Sequence, residues 1–165
     1  MSALHLITPE LKAKFEKVVA RYPSDQKQSA VIPLLHLFQA SNGGSLTHDQ
    51  QRAVAEYLDV PVTKVHEVTT FYTMYSLEPR GKKVLNICRT LPCALTGCEN
   101  VIDAVHAKLG VAPKEVTADG KFSYEEVECL AMCHLGPVMQ VDDKIYGHLT
   151  PESVVKTIDE IGKKL

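Results

Sequence analysis

Apolar positions recur with helical spacing through the first half of the chain and in short strand-like runs through the second. Leu11, Phe15, Val18 and Val19 line one face of a predicted helix. Thr8-Pro9-Glu10 supplies its N-cap, a first-turn proline and a first-turn acid, and Pro23 lies just past its end. A second helix is predicted after Ser29, with Pro33 near its first turn and Leu34, Leu35 and Phe38 on its apolar face. Asn42-Gly43-Gly44 stops it. Thr47-His48-Asp49-Gln50 reads as a capping box for a third helix through Val54 and Leu58. A fourth starts near Pro61 and runs through Val65 and Val68 toward Phe71 and Tyr72. Four short helices with short loops predict a small bundle.

Pro79-Arg80-Gly81 marks a change of pattern, so the chain divides into residues 1–80 and 81–165. Val84-Leu85-Asn86-Ile87 reads as a buried strand that ends at Cys88. Thr96-Gly97-Cys98-Glu99 reads as a capping box for a helix through Val101, Ile102, Val105 and Leu109, closed by Gly110. Asp119-Gly120 marks a turn, and Tyr124 to Glu128 a second strand that ends at Cys129. Val138 to Val141 and Lys144 to Gly147 flank Asp142-Asp143 as a hairpin. Thr150-Pro151-Glu152 caps a last helix carrying Val154, Val155, Ile158 and Ile161. The predicted fold class is α+β: a small N-terminal helical bundle, then a thioredoxin-like α/β domain.

With 165 residues, 45% of them hydrophobic, the chain can bury a core in each part. No stretch approaches the ~20 apolar residues of a membrane span, so no direct membrane insertion is expected. The first residues, Met1 to Leu6, lack the charged and apolar regions of a signal peptide. A net charge of −2 without a basic block, no Trp and 6% aromatic residues argue against nucleic acid as a partner. There is no Gly-x-Gly-x-x-Gly, no P-loop and no convincing Ser/His/Asp set.

The cysteines change this picture. None occurs in the first 87 residues, and all five lie between Cys88 and Cys133. Without a secretory signal, such cysteines point to metal or thiol chemistry rather than to disulfides. Cys88-x₄-Cys93 and Cys129-x₃-Cys133 each begin where a predicted strand ends, so two loops on one rim could bring four thiols together. Two thiolates per iron suit a [2Fe–2S] rhomb, and four also suit zinc. The spacings are neither of the plant-type nor of the bacterial two-cluster pattern, and no Cys-x-His pair suggests a Rieske centre. No Cys-x-x-Cys is present, which weakens a dithiol redox enzyme and a zinc ribbon. Pro92, Gly97, Gly136 and Pro137 let the loops turn and leave N–H groups free to point at sulfur.

Cys88-Arg89-Thr90-Leu91-Pro92-Cys93-Ala94-Leu95-Thr96-Gly97, Glu126-Val127-Glu128-Cys129-Leu130-Ala131-Met132-Cys133, Gly136-Pro137, Leu149-Thr150-Pro151-Glu152 and Glu67-Val68-Thr69-Thr70-Phe71-Tyr72 together carry a resemblance. They resemble the thioredoxin-like [2Fe–2S] ferredoxin family, whose members include the small peripheral-arm subunit of NADH:quinone oxidoreductase (the NuoE type). Relatives serve NAD-linked hydrogenases and formate dehydrogenases. The resemblance implies that Cys88, Cys93, Cys129 and Cys133 hold one [2Fe–2S] cluster. It implies electron exchange with FMN on a larger NAD(H)-binding partner of the NuoF type, within a complex of further redox subunits. Residues 1–80, with Thr70-Phe71-Tyr72, are then expected to help dock that partner. The expected place is the cytoplasm, or the inner face of the cytoplasmic membrane as a peripheral part of the complex. Two departures stand out: Ala131-Met132 replaces the usual Gly-Ala, and Cys98 is an extra thiol.

Plainer readings stand beside these. Cys98 shares helical spacing with Val101, Ile102 and Val105, so core packing is its first reading. His134 reads as a solvent-facing loop residue, and Phe71 and Tyr72 in isolation as apolar anchors. Glu125, Glu126 and Glu128 read as a solvated strand edge. A zinc-stapled structural subunit and a dithiol redox enzyme are the rival classes.

Overall fold

The protein, described over residues 2–165 in a computed structural model, forms two compact units that meet in sequence between Pro79 and Arg80. The first unit is helical. Helices α1 (Pro9–Val19), α2 (Val31–Ser41), α3 (His48–Leu58) and α4 (Val62–Phe71) follow one another, with 3₁₀ turns at Leu4–Leu6 and Lys27–Ala30. Thr8 caps α1 by accepting from the Leu11 N–H. The Thr47/Gln50 capping box of α3 is formed in both directions. Each satisfies backbone donors that a helix start otherwise leaves unpaired. The buried faces meet on Phe15, which packs edge-on against Phe38 and Tyr57, each at 5.3 Å. Leu34, Leu35, Val54 and Val65 close the core around it.

The second unit is built on a four-stranded mixed sheet of β1 (Lys83–Cys88), β2 (Phe122–Val127), β3 (Met139–Val141) and β4 (Lys144–Tyr146). Its order is β2-β1-β3-β4. The β1–β2 pair is parallel and joined through α6 (Cys98–Leu109); β3 and β4 form an antiparallel hairpin on the other edge of β1. Asp142 takes φ 52° in the hairpin turn. Leu85 and Ile87, alternate residues of β1, point into a core with Val101 and Val105 of α6 and Val154 and Ile158 of α7 (Pro151–Gly162). This is the expected α+β class: a helical bundle followed by a thioredoxin-like layer.

Two local expectations differ. A short helix α5 (Leu91–Leu95) lies in the loop after β1. Because α5 ends on Thr96, that residue does not cap α6. Its hydroxyl instead donates to the carbonyls of Pro92 and Cys93, both at 3.0 Å, and α6 starts from Gly97 at φ 94°. Among the described residues no helix is long and apolar enough to cross a membrane.

Tyr75 ties the end of the first unit to α2: its buried hydroxyl donates to the Ile32 carbonyl at 2.9 Å. Tyr75→Phe should cost about 1 kcal/mol in urea denaturation. Burial, with Tyr72 nearby, pushes the Tyr75 phenol up to about 12. An unfolded chain releases this proton near pH 10, so the folded state loses stability as pH rises from there through about 12. Tyr57 and Tyr124 are raised by burial too, so the variant should show a smaller alkaline loss; an identical alkaline limb would contradict the assignment.

Candidate functional site

Strand β1 is hydrogen-bonded on both edges up to its last residue. The Cys88 N–H donates to the Val138 carbonyl and the Arg89 N–H to the Val127 carbonyl, both at 3.0 Å. Cys88 is thereby fixed between the loop after β2 and the start of the hairpin. The chain then turns at Thr90 into α5, which presents Cys93 inward and Leu91 and Leu95 outward. Cys88, Cys93 and Cys98 are buried beside Val138. Cys129 and Cys133 lie on the loop that follows β2 and are exposed. No two of the five cysteines are joined in a disulfide.

The two loops approach each other at three places. The Cys88 thiol donates to the Glu128 carbonyl at 3.3 Å and lies 3.2 Å from the Thr90 hydroxyl. Gly136 faces α5 so closely that a Cβ there would sit 2.9 Å from Thr96 Oγ1 and 3.6 Å from Cys93 Sγ. A side chain there would press on the Thr96 hydroxyl. The Arg89 guanidinium crosses to Glu128 at 2.9 Å.

The thiols are electrostatically unequal. Burial pushes the Cys88 thiol up. Hydrogen bonds from the Thr90 hydroxyl and N–H, the Cys93 thiol and the Leu130 N–H outweigh it, so the net direction is down. Burial pushes the Cys93 thiol up, and its neighbour Cys88 pushes it further. Burial also raises Cys98, with the Cys88 charge next. Cys88 is therefore the buried thiol most ready to ionise, and thiolate is the metal-binding form.

Four soft sulfur donors in two pairs match the demand of a [2Fe–2S] rhomb for two thiolates per iron. Among the described residues no three His, Cys, Asp or Glu side chains surround one ion-sized point. Backbone N–H groups already point at sulfur: Ala131 N–H donates to Cys129 Sγ at 3.3 Å. With no side chain, Gly136 lets the two loops approach closely. In donor chemistry the four cysteines suit such a cluster.

Other expectations fall into place differently. Cys98 is 1% exposed on the buried face of α6, as its spacing suggested, and packs with Cys88, Cys93 and Val138. His134 is exposed in the 3₁₀ turn Cys133–Leu135. Phe71 is 78% exposed and packs edge-on against Tyr72, so neither is a core anchor. The acidic run is not a free edge: Glu125 pairs with Arg80, and Glu126 and Glu128 with Arg89. Arg89 and Thr96 are functional neighbours that the sequence reading missed. Their only signal was their position one and three residues after a candidate ligand.

Comparisons with known proteins identify the family to which the chain is similar. The family model "Thioredoxin-like [2Fe-2S] ferredoxin" matches residues 15–162. The chain is 42% identical over 146 residues to the E-type subunit of NADH-quinone oxidoreductase of Rickettsia bellii (strain RML369-C), covering 88% of this chain and 87% of that one. It is 38% identical over 154 residues to "NADH dehydrogenase [ubiquinone] flavoprotein 2, mitochondrial" of Dictyostelium discoideum, covering 93% of this chain and 62% of that one. In fold it is similar to a chain of an NAD+-reducing [NiFe]-hydrogenase in the H2-reduced state, with a TM-score of 0.71 and 13% identity. That similarity covers 82% of this chain and 22% of the other.

Ala131 holds φ 57°, a left-handed conformation that disfavours a Cβ. It occupies the position where Gly was expected. Ala131→Gly should raise the denaturation midpoint of the metal-free chain by the equivalent of about 0.5–1 kcal/mol. A lowered midpoint would show that the Ala methyl contributes packing that outweighs the strain.

Proposed function

The chain belongs to the thioredoxin-like [2Fe–2S] ferredoxin family, and from that premise we propose that Cys88, Cys93, Cys129 and Cys133 hold one [2Fe–2S] cluster. The chain is an iron–sulfur electron-transfer subunit of the NADH dehydrogenase type. The observation that supports the ligand assignment is the approach of the two loops: the Arg89 guanidinium against Glu128, and Gly136 against Thr96 and Cys93. When bound, such a cluster supplies reversible one-electron storage. On our reading it exchanges electrons with FMN on a larger NAD(H)-binding subunit of the NuoF type.

The chain's own residues set the conditions. Burial of Cys88 and Cys93 excludes water from the inner side, while Cys129 and Cys133 stay at the surface where a partner can approach. N–H groups of Leu130 and Ala131 face the sulfurs of Cys88 and Cys129 and stabilise their negative charge. Exposed Phe71 and Tyr72 provide an apolar patch on the helical unit, consistent with docking of the flavin subunit. On the same reading the chain works in the cytoplasm, or peripherally on the inner face of the cytoplasmic membrane as part of such a complex.

Family membership favours this reading over a zinc-stapled subunit or a dithiol enzyme. The similarity to an NAD+-reducing hydrogenase is one of fold. Equivalent service in an NAD-linked hydrogenase or formate dehydrogenase is the alternative assembly.

Serine replacement at Cys88, Cys93, Cys129 or Cys133 should each impair the cluster, read by electron paramagnetic resonance of the reduced full chain. Cys98→Ser should leave the signal. The reverse pattern would overturn the ligand assignment. The chain alone should not oxidise NADH. Within the assembled complex NADH should reduce the cluster, and failure to do so would contradict exchange with the flavin.

A further inference from the structure

Arg89 directly follows Cys88 at the end of β1, and its guanidinium reaches across to the residues that lead into Cys129. It lies 2.9 Å from Glu128 Oε1 and 3.9 Å from Glu126 Oε2. Glu128 directly precedes Cys129. Arg89's own N–H continues the β1–β2 ladder by donating to Val127 at 3.0 Å. One residue therefore joins the two cysteine-bearing loops through backbone and side chain together.

Simple stabilisation of the fold is a poor account of this pair. Its side chains are 53% and 76% exposed, and exposed ion pairs contribute little to stability. Its location matters more. Two carboxylates on the approach to Cys129 would, unpaired, add negative charge beside four thiolates. Arg89 offsets both from a position bonded to the loop of the first thiol pair. The contact between the Cys88 thiol and the Glu128 carbonyl needs a proton on sulfur, so it belongs to the metal-free thiol form. The Arg89–Glu128 bridge involves no thiol and so does not depend on that proton.

We propose that Arg89 is a positioning residue for the cluster: it clasps the two ligand loops and offsets Glu126 and Glu128, which raises the reduction potential of the site. This rests on the ligand assignment above. Reduction adds one negative charge, so a nearby cation favours the reduced state and uncompensated carboxylates oppose it. Because the groups are partly exposed, salt should weaken the effect.

The test is a dithionite redox titration of the full cluster-loaded chain, followed by electron paramagnetic resonance, with iron and sulfide assayed on each sample. Arg89→Gln should titrate at a more negative midpoint than wild type, and Glu128→Gln at a less negative one. Arg89→Lys, which keeps the charge, should stay nearer wild type than Arg89→Gln. The gap between Arg89→Gln and Glu128→Gln should shrink at high salt. Should Arg89→Gln fail to fold, Glu128→Gln against wild type carries the comparison. Equal midpoints at unchanged iron and sulfide content would overturn the proposal for Arg89 while leaving the cluster reading intact. A wild-type chain that takes up no iron and sulfide would overturn the cluster reading itself.

Discussion

The site depends on a strand that is hydrogen-bonded on both sides until its last residue. β1 pairs with β2 on one edge and β3 on the other, and the Cys88 and Arg89 N–H groups extend those ladders into the loops. A strand so held cannot shift register without turning Leu85 and Ile87 out of the core. Cys88 is therefore fixed by the packing of the whole second unit. The other three cysteines hang from loops anchored to that strand or its neighbour.

The loops combine restraint with access. Thr96 ties the last turn of α5 to the carbonyls of Pro92 and Cys93, and Gly136, with no side chain, packs close against it. The inner thiols are buried and the outer two face solvent. That asymmetry suits an electron carrier: one side is shielded, and the other stays within reach of a redox partner. Charges follow the same division. Arg80 holds Glu125 in a largely buried pair on β2, and Arg89 holds Glu126 and Glu128 at the exit toward Cys129.

Much of this was legible in the sequence because it is written in local patterns. Helix periodicity, the Thr8, Thr47 and Thr150 caps and the Asp142-Asp143 turn lie within a few residues of what they organise. The pairing of the cysteines with strand ends was equally local. α5 was missed because five residues give no periodic signal. Its presence then explains the wrong role given to Thr96: a threonine that ends one helix cannot also cap the next. The Arg89–Glu128 bridge joins positions 39 apart, so only the parallel pairing of β1 and β2 reveals it. The exposure of Phe71 was hidden because an aromatic at helical spacing reads the same whether it faces a core or a partner. At Ala131 the departure from the expected Gly was visible, but its left-handed backbone was not.

The most direct test of the central claim is the visible absorption spectrum of the anaerobically purified chain, with iron, sulfide and zinc assayed on the same sample. The account predicts bands that bleach with dithionite, and iron and sulfide in equal amounts at about two each per chain. A colourless protein holding zinc without sulfide, and taking up no cluster on reconstitution, would contradict it.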